Sequence, residues 1–265
     1  MTDPLIPPAQ ASAAEGPLLL AVAREAGAVR VTRRHRHARG QLLGAARGLL
    51  SVDAGGGRWV VPATHAVWIP PDVPHGLRSH GPFSGWSVYV AASACAELHR
   101  RPCVLAVSGL LREAVARAVS WTENDPDAPK ARLAGVILDE IRSLPHAALG
   151  LSMPRDARLI RIARALSDRP DDGRRLREWA AWAGIAPRTL TRRFVAETGF
   201  TFTEWRQRVR LLKALEWLAG GRPVTAVALD SGYDNVSAFI TVFRQVFGVT
   251  PGRYDAAMRR NGQVS

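Results

Sequence analysis

Residues 33–41 read RRHRHARGQ, which sets His35 and His37 two positions apart with Gln41 four further on. Neutral imidazoles are good ligands for divalent first-row metals, and a side-chain amide can add a weak oxygen donor. The same nine residues carry Arg33, Arg34, Arg36 and Arg39, a density suited to a basic arm lying along a phosphate backbone. Both chemistries stand at this point, and strand geometry separates them in space. Alternate side chains of a strand share a face, so His35 and His37 project to one side while Arg34 and Arg36 project to the other.

The elements that must hold these residues are set first by length and composition. A chain of 265 residues with 47% hydrophobic content can bury two ordinary cores. No uninterrupted apolar run reaches the ~18 residues of a membrane span. The opening MTDPLIPPAQASAAEG has no basic n-region, so a secretory signal is not expected. Cys95 and Cys103 lack Cys-x-x-Cys spacing and read as thiols in a reducing compartment. A cytoplasmic protein with no membrane partner is the expectation. More than half of the net charge of +13 falls on residues 151–265. Such a domain favours a polyanion, because each neutralised phosphate releases counterions. An arginine-rich coding bias gives the same balance, since Lys130 and Lys213 are the only lysines.

The two halves differ in period. Between Gln41 and Val90, Gly or Pro interrupts the chain every few residues, and the runs 48–53, 58–61 and 66–69 are short and rich in Val, Ile, Leu and Trp. These are strands, with a hairpin at Asp53-Ala-Gly-Gly-Gly, and they predict a sandwich or barrel. From Ser108 the spacing becomes helical, through Leu110, Leu111, Val115 and Val119, then Leu133, Val136, Ile137, Glu140 and Ile141. The stretch from Pro145 to Pro154 separates this part from an all-helical remainder. Trp68, Trp86, Trp179, Trp182, Trp205 and Trp217 are expected in core packing. His65 and His80 are placed equally well in a pocket or on a surface turn.

The helical remainder has a repeated pattern. A helix at residues 176–183 ends at Gly184, and Pro187 opens a second helix with Leu190 and Phe194 inward. Arg188, Thr191 and Arg192 then lie on the outer face, with Thr189 beside them. A short helix, a glycine turn and a second helix with a polar outer face make a helix-turn-helix unit, whose second helix enters the major groove. In VTAVALDSGYDNVSAFITVFRQVFG the pattern recurs, with Val224, Val227 and Ala228, a turn at Gly232, then Phe239 and Phe243. A long helix over 203–219 with Trp205, Val209, Leu212 and Leu215 on one side joins the two.

These residues resemble the DNA-binding domain of the AraC/XylS family of transcriptional regulators. The resemblance runs through Ala180, Gly184, Pro187, Leu190 and Phe194, then Thr198, Gly199 and Phe200, Arg210, Ala214 and Leu218, VALDSGY, and FGVTPGRY. It covers about 100 residues in ordered spacing. It implies two helix-turn-helix units on a rigid helix, reading successive major grooves ~34 Å apart. Candidate DNA contacts are Arg188, Thr189, Thr191 and Arg192 on the first recognition helix and Ser237, Thr241 and Arg244 on the second. Thr241 stands where the family usually has Arg, which removes a bidentate guanine contact.

The N-terminal half resembles the cupin-like sensor domain of the same family through HRHARGQLL, the glycine hairpin and HAVWIPPDVPHGL. The resemblance places His35, His37, Gln41 and His75 as ligands of one divalent metal ion, with Gln41 where cupins usually carry Glu. The histidines would otherwise hydrogen-bond a polar effector. The fold expected is α+β, a cupin-like β-barrel (jelly roll) followed by an all-α domain with two helix-turn-helix units. Its parts are a flexible segment over 1–28, the barrel over 29–105, a helical dimerisation or linker region over 106–150, and the AraC-type DNA-binding domain over 151–258. The function expected is sequence-specific DNA binding controlled by a small-molecule or metal effector. A homodimer is expected through the 106–150 helices, with RNA polymerase as a further partner if the protein activates. An alternative is a metal-dependent cupin oxygenase or isomerase fused to a DNA-binding domain, against which Gln41 counts, since catalytic cupins usually keep the acidic ligand. A non-specific chromosome-binding protein is disfavoured by two ordered helix-turn-helix units.

Overall fold

The computed structural model describes residues 6–13, 16–62, 65–122, 127–147 and 149–260. The chain divides into two compact units, residues 1–55 with 59–150, and residues 56–58 with 151–265.

The first unit begins with a short helix, α1 (Pro8–Ser12), followed by β1 (Leu19–Ala26), β2 (Val31–His35), β3 (Gly40–Arg47), β4 (Leu49–Ala54), β5 (Gly57–Pro62), β6 (His65–Ile69), β7 (His75–Ser79), β8 (Phe83–Val90), β9 (Cys103–Ala106) and β10 (His146–Ala147). Helices α2 (Gly109–Val119) and α3 (Asp127–Ser143) lie between β9 and β10 in sequence. One sheet has the order β1-β8-β3-β6-β9-β10, and a second contains β5-β4-β7-β2. The β4–β5 hairpin turns at Gly55 and Gly56, where the expected glycine turn lies.

Alternation divides the six-stranded sheet into two faces. Leu42, Trp68, Val88, Val90 and Leu105 share one cluster with Leu111, Ala114, Val115 and Ala118 of α2 and Ala134, Ile137 and Ile141 of α3. Their odd-even neighbours Gln41, Ser87 and Tyr89 therefore look the other way. Gly44 is fixed by this packing, because a Cβ there would sit 2.3 Å from the Trp86 ring.

One expectation is corrected here. Residues 19–26 are not a flexible segment. Leu19 through Ala26 pair in register with Val90 through Phe83, so β1 is an edge strand of the six-stranded sheet, hydrogen-bonded along one side to β8. Upstream, Ile6 and Ala11 are buried beside Tyr89; residues 1–5, 14 and 15 of that segment lie outside the described residues. The apolar stripe of the 106–150 helices, from which pairing of two copies was expected, is used within the protomer against the six-stranded sheet. Leu110, counted in that stripe, is 57% exposed.

The second unit contains α4 (Ala157–Asp168), α5 (Leu176–Ala183), α6 (Pro187–Thr198), α7 (Phe202–Ala219), α8 (Val224–Asp230), α9 (Val236–Phe247) and α10 (Pro251–Arg260). The long helix α7 is capped by Thr201, whose side chain accepts from the Glu204 N–H while Glu204 reaches back to the Thr201 N–H. It buries Leu211, Ala214 and Leu218 in addition to the one-sided set Trp205, Val209, Leu212 and Leu215. An element covered on more than one side serves as a core for both helix-turn-helix units. Trp179 and Trp205 are fully buried, but Trp182 is 43% exposed, flanked by the guanidinium groups of Arg161 and Arg174. No helix among the described residues is long and apolar enough to cross a membrane.

Candidate functional site

The first site lies between the sheets of the N-terminal unit. Strand β2 ends at His35, so strand alternation does not orient His37. Its own hydrogen bond does, with the His37 Nδ1–H donating to the Arg39 carbonyl at 2.7 Å. His35 Nδ1–H donates to the Arg33 carbonyl at 2.9 Å, and His75 Nδ1–H to the Val73 carbonyl at 2.8 Å. The same device, a backbone oxygen two residues away, thus sets all three tautomers. The Nε2 of each ring is thereby kept off its own backbone, the arrangement that outer-shell carbonyls give to metal-binding histidines.

The three rings converge. His35 and His75 face each other across the β2–β7 pair, with ring centroids 4.4 Å apart, and His37 lies 4.9 Å from His75. One ligand nitrogen from each falls within 4.8 Å of the others. His37 and His75 are buried, and the His75 Nε2 has no hydrogen-bond partner. An unpaired buried acceptor costs about 1–3 kcal/mol, so this nitrogen is placed for a ligand. Burial pushes the His75 imidazole down to about 4 and lowers that of His37 as well. Both rings are therefore neutral at neutral pH, as coordination requires.

Gln41 is on the same wall. Its Oε1 is 3.3 Å from His37 Nε2 and its amide donates to Ser87 Oγ at 2.9 Å. Tyr89, beside Gln41 in register, packs edge-on to His37. Ser87 and Tyr89 were missed in the sequence, although the alternation of GWSVYV places them on one face. Arg34, in β2, and Arg36, just beyond its end, are both exposed. His80 pairs with Ser51 at 2.8 Å and His65 begins β6; neither joins the histidine cluster.

The second site is on the helical unit. Both helix-turn-helix turns close with the same bond. Ile185 N–H donates to the Ala180 carbonyl at 3.0 Å, and Tyr233 N–H to the Ala228 carbonyl at 3.2 Å. Gly184 and Gly232 take the left-handed conformation these turns need, at φ 65° and 78°. Recognition helix α6 starts at Pro187, and α9 is capped by Asn235, which accepts from the Ala238 N–H.

Charge partners fix the orientation of α6. Glu197 accepts from the N–H groups of Arg155 and Asp156 at the start of α4. Arg193, one turn earlier, pairs with the Asp156 carboxylate, which also holds Arg158. These arginine contacts keep the Asp156 carboxyl at about 2. With Arg193 and Glu197 engaged, Arg188, Thr191 and Arg192 are left exposed on the other side of the helix, and Thr189 is half-buried. On α9, Ser237, Thr241 and Arg244 are exposed while Phe239 and Phe243 are buried. The Thr191 and Thr241 hydroxyls donate to the carbonyls of Pro187 and Ser237, so the donor of each is spent within its own helix.

The two units define a class: a ligand-binding β domain coupled in one chain to a two-part helix-turn-helix domain. Comparison with known proteins agrees. A model described as the AraC-like ligand binding domain matches residues 20–126, and one described as a helix-turn-helix domain matches residues 179–257. The HTH-type transcriptional regulator NimR of Escherichia coli (strain K12) is 32% identical over 225 residues, covering 84% of this chain and 82% of NimR. The HTH-type transcriptional regulator RipA of Corynebacterium glutamicum is 36% identical over 104 residues, 39% of this chain and 31% of RipA. A crystal structure of ToxT from Vibrio cholerae aligns over 90% of this chain and 94% of its own, at 13% identity and a TM-score of 0.39. The chain belongs to the AraC family of transcription regulators, with an N-terminal ligand-binding domain and a C-terminal DNA-binding helix-turn-helix domain.

Proposed function

We propose that this regulator senses a divalent metal ion, held by His35, His37 and His75 in the N-terminal pocket, and that occupancy of the pocket changes its affinity for operator DNA. The observation that carries the reading is the shared hydrogen-bond pattern. Three Nδ1–H groups are tied to backbone carbonyls, one ring nitrogen from each histidine lies within 4.8 Å of the others, and the His75 Nε2 is buried without a partner. The residues fit an ion of the Mn, Fe, Ni or Zn type, which takes nitrogen donors with water completing the shell. Gln41 adds a neutral oxygen rather than a carboxylate, so the site is less negative and binds more weakly than one with Glu. Weaker, reversible binding suits a sensor.

On the DNA side, Arg188 and Arg192 of α6 serve as the guanine readers of the first half-site. Ser237, Thr241 and Arg244 of α9 supply a less base-specific grip on the second, with Thr189 and Thr191 supporting the first. An activator would in addition touch RNA polymerase; a repressor would not need to.

The test pairs metal analysis with DNA binding on the full chain. Purified protein saturated with Mn²⁺, Fe²⁺, Ni²⁺ or Zn²⁺ should hold one ion per chain more than the His75→Ala variant for at least one of these metals. Chelation should shift affinity for a selected genomic fragment several-fold in the wild type and leave His75→Ala unchanged. Equal metal content in wild type and variant would overturn the metal reading. A polar organic effector bound through the same imidazoles would then be sought by thermal-shift screening.

A further inference from the structure

Outside the pocket, a second set of ligand-type side chains meets at the edge of the six-stranded sheet. His99 lies in the loop between β8 and β9, Cys103 opens β9, and His146 opens β10, the antiparallel partner of β9. The two helices between β9 and β10 are what bring His146 back to the other two residues. One ligand atom from each of the three lies within 4.8 Å of the others.

The arrangement has the marks of coordination geometry. His146 Nε2 is 3.3 Å from His99 Nδ1 and 3.4 Å from His99 Nε2, with the rings edge to face at 79°. Two nitrogens bound tetrahedrally to Zn²⁺ at about 2.0–2.1 Å stand about 3.4 Å apart, so the imidazole pair already has the spacing of one tetrahedral edge. The other nitrogen of His99 is engaged, since its Nε2–H donates to the Ile141 carbonyl at 2.9 Å near the end of α3. That bond leaves Nδ1 as the lone-pair nitrogen and supplies the outer-shell contact usual for a ligating histidine. Cys103 adds a sulfur from the apolar cluster beneath α2 and α3. A bare thiolate is costly in such surroundings, and an adjacent dication offsets that cost. His146 is exposed, so the fourth position opens to water.

We propose that His99, Cys103 and His146 form a second metal site, distinct from the pocket histidines and selective for a borderline ion such as Zn²⁺. The two sites lie on opposite faces of the six-stranded sheet, because Cys103 belongs to the helix-covered face and Gln41, Ser87 and Tyr89 to the other. A thiolate with two imidazoles selects Zn²⁺ or Co²⁺ over Mn²⁺ and Mg²⁺, which prefer oxygen. Metal there would tie the β8–β9 loop, the start of β9 and the start of β10 together.

Cobalt(II) titration of the full chain tests this, because a cysteine ligand gives a near-ultraviolet thiolate-to-cobalt charge-transfer band that an all-histidine site lacks. The band should appear in the wild type and persist in the His35→Ala/His75→Ala double variant and in Cys95→Ser. It should vanish in Cys103→Ser, and His146→Ala should weaken Co²⁺ binding by at least about tenfold. His146 is exposed, so its variant keeps the test clear of core disruption. Cobalt bound without the band, a band retained in both Cys103→Ser and His146→Ala, or a band lost in Cys95→Ser would overturn the proposal.

Discussion

The burial of His75 makes the N-terminal domain acid-sensitive by an amount that can be worked out. Its imidazole falls from an ordinary 6.5 to about 4, chiefly because burial disfavours the charged form. Above pH 6.5 both folded and unfolded chains carry it neutral, and nothing is lost. Between 6.5 and 4 the unfolded chain takes up a proton that the folded chain refuses, so stability falls as pH falls. Over that window, at ~1.36 kcal/mol per unit, the loss is about 3 kcal/mol. His37, lowered by the same cause, adds in the same direction. Replacing His75 with Asn removes the largest titrating contribution without emptying the site. Urea unfolding of chelator-treated wild type and His75→Asn, from pH 7.5 down to pH 4, should show the wild type losing about 3 kcal/mol more than the variant. Parallel pH curves, or a His75 imidazole resonance titrating near 6.5 by NMR, would refute the argument.

Other outcomes follow from the same geometry. Arg192→Ala should cost ~1–3 kcal/mol at a cognate operator and relax the preference at one base pair, measured by fluorescence anisotropy. Thr241→Ala should cost little, because its hydroxyl donor is already spent on the Ser237 carbonyl; equal losses would show the reading helix to be α9. Gly44→Ala should destabilise the N-terminal unit by about 1–3 kcal/mol through overpacking against Trp86, read as a lowered Tm. In the helical unit, Gly232→Ala should cost more than Gly184→Ala. Both have positive φ, but a Cβ at 232 would lie 2.7 Å from the Arg210 guanidinium and 2.9 Å from the Asp171 Cα, while one at 184 meets nothing within 4 Å. Comparable Tm values for the two variants would contradict this.

The helical half was the more legible because its signals are local. Gly184 with Pro187, and Gly232 with the phenylalanine pair Phe239 and Phe243, mark turn and helix within a few residues, and α5 and α6 begin where the sequence puts them. The histidine set was legible by type and motif, but its orienting force was not. Strand alternation was the wrong reason for His37, since β2 stops at His35 and the Arg39 carbonyl holds the ring instead. β1 was missed because LLAVAREA has no clean alternation and its partner, β8, is distant in sequence, from Ala26 opposite Phe83 to Leu19 opposite Val90; only pairing reveals it. The helical stripe through Leu111, Val115, Ile137 and Ile141 was found, yet a stripe does not say what it covers. The cysteine and histidines at 99, 103 and 146 carry no recognisable spacing, because α2 and α3 intervene between two of them.

One feature of α7 bears on how operators for this protein can be built. Arg206 donates to the carbonyls of Asp172 and Arg174 in the segment leading into α5, and Arg210 donates to the Pro170 carbonyl while lying against Tyr233 in the second turn. A single helix thus holds the approach to one reading unit and the turn of the other, through rigid guanidinium forks that a lysine would not reproduce. The distance and angle between α6 and α9 become a fixed ruler. One base pair inserted between the two half-sites moves the second by about 3.4 Å and turns it by roughly a tenth of a helical repeat. Held in this way, α6 and α9 cannot follow such a shift without breaking the Arg206 and Arg210 contacts, so binding-site spacing should tolerate substitution far better than insertion or deletion.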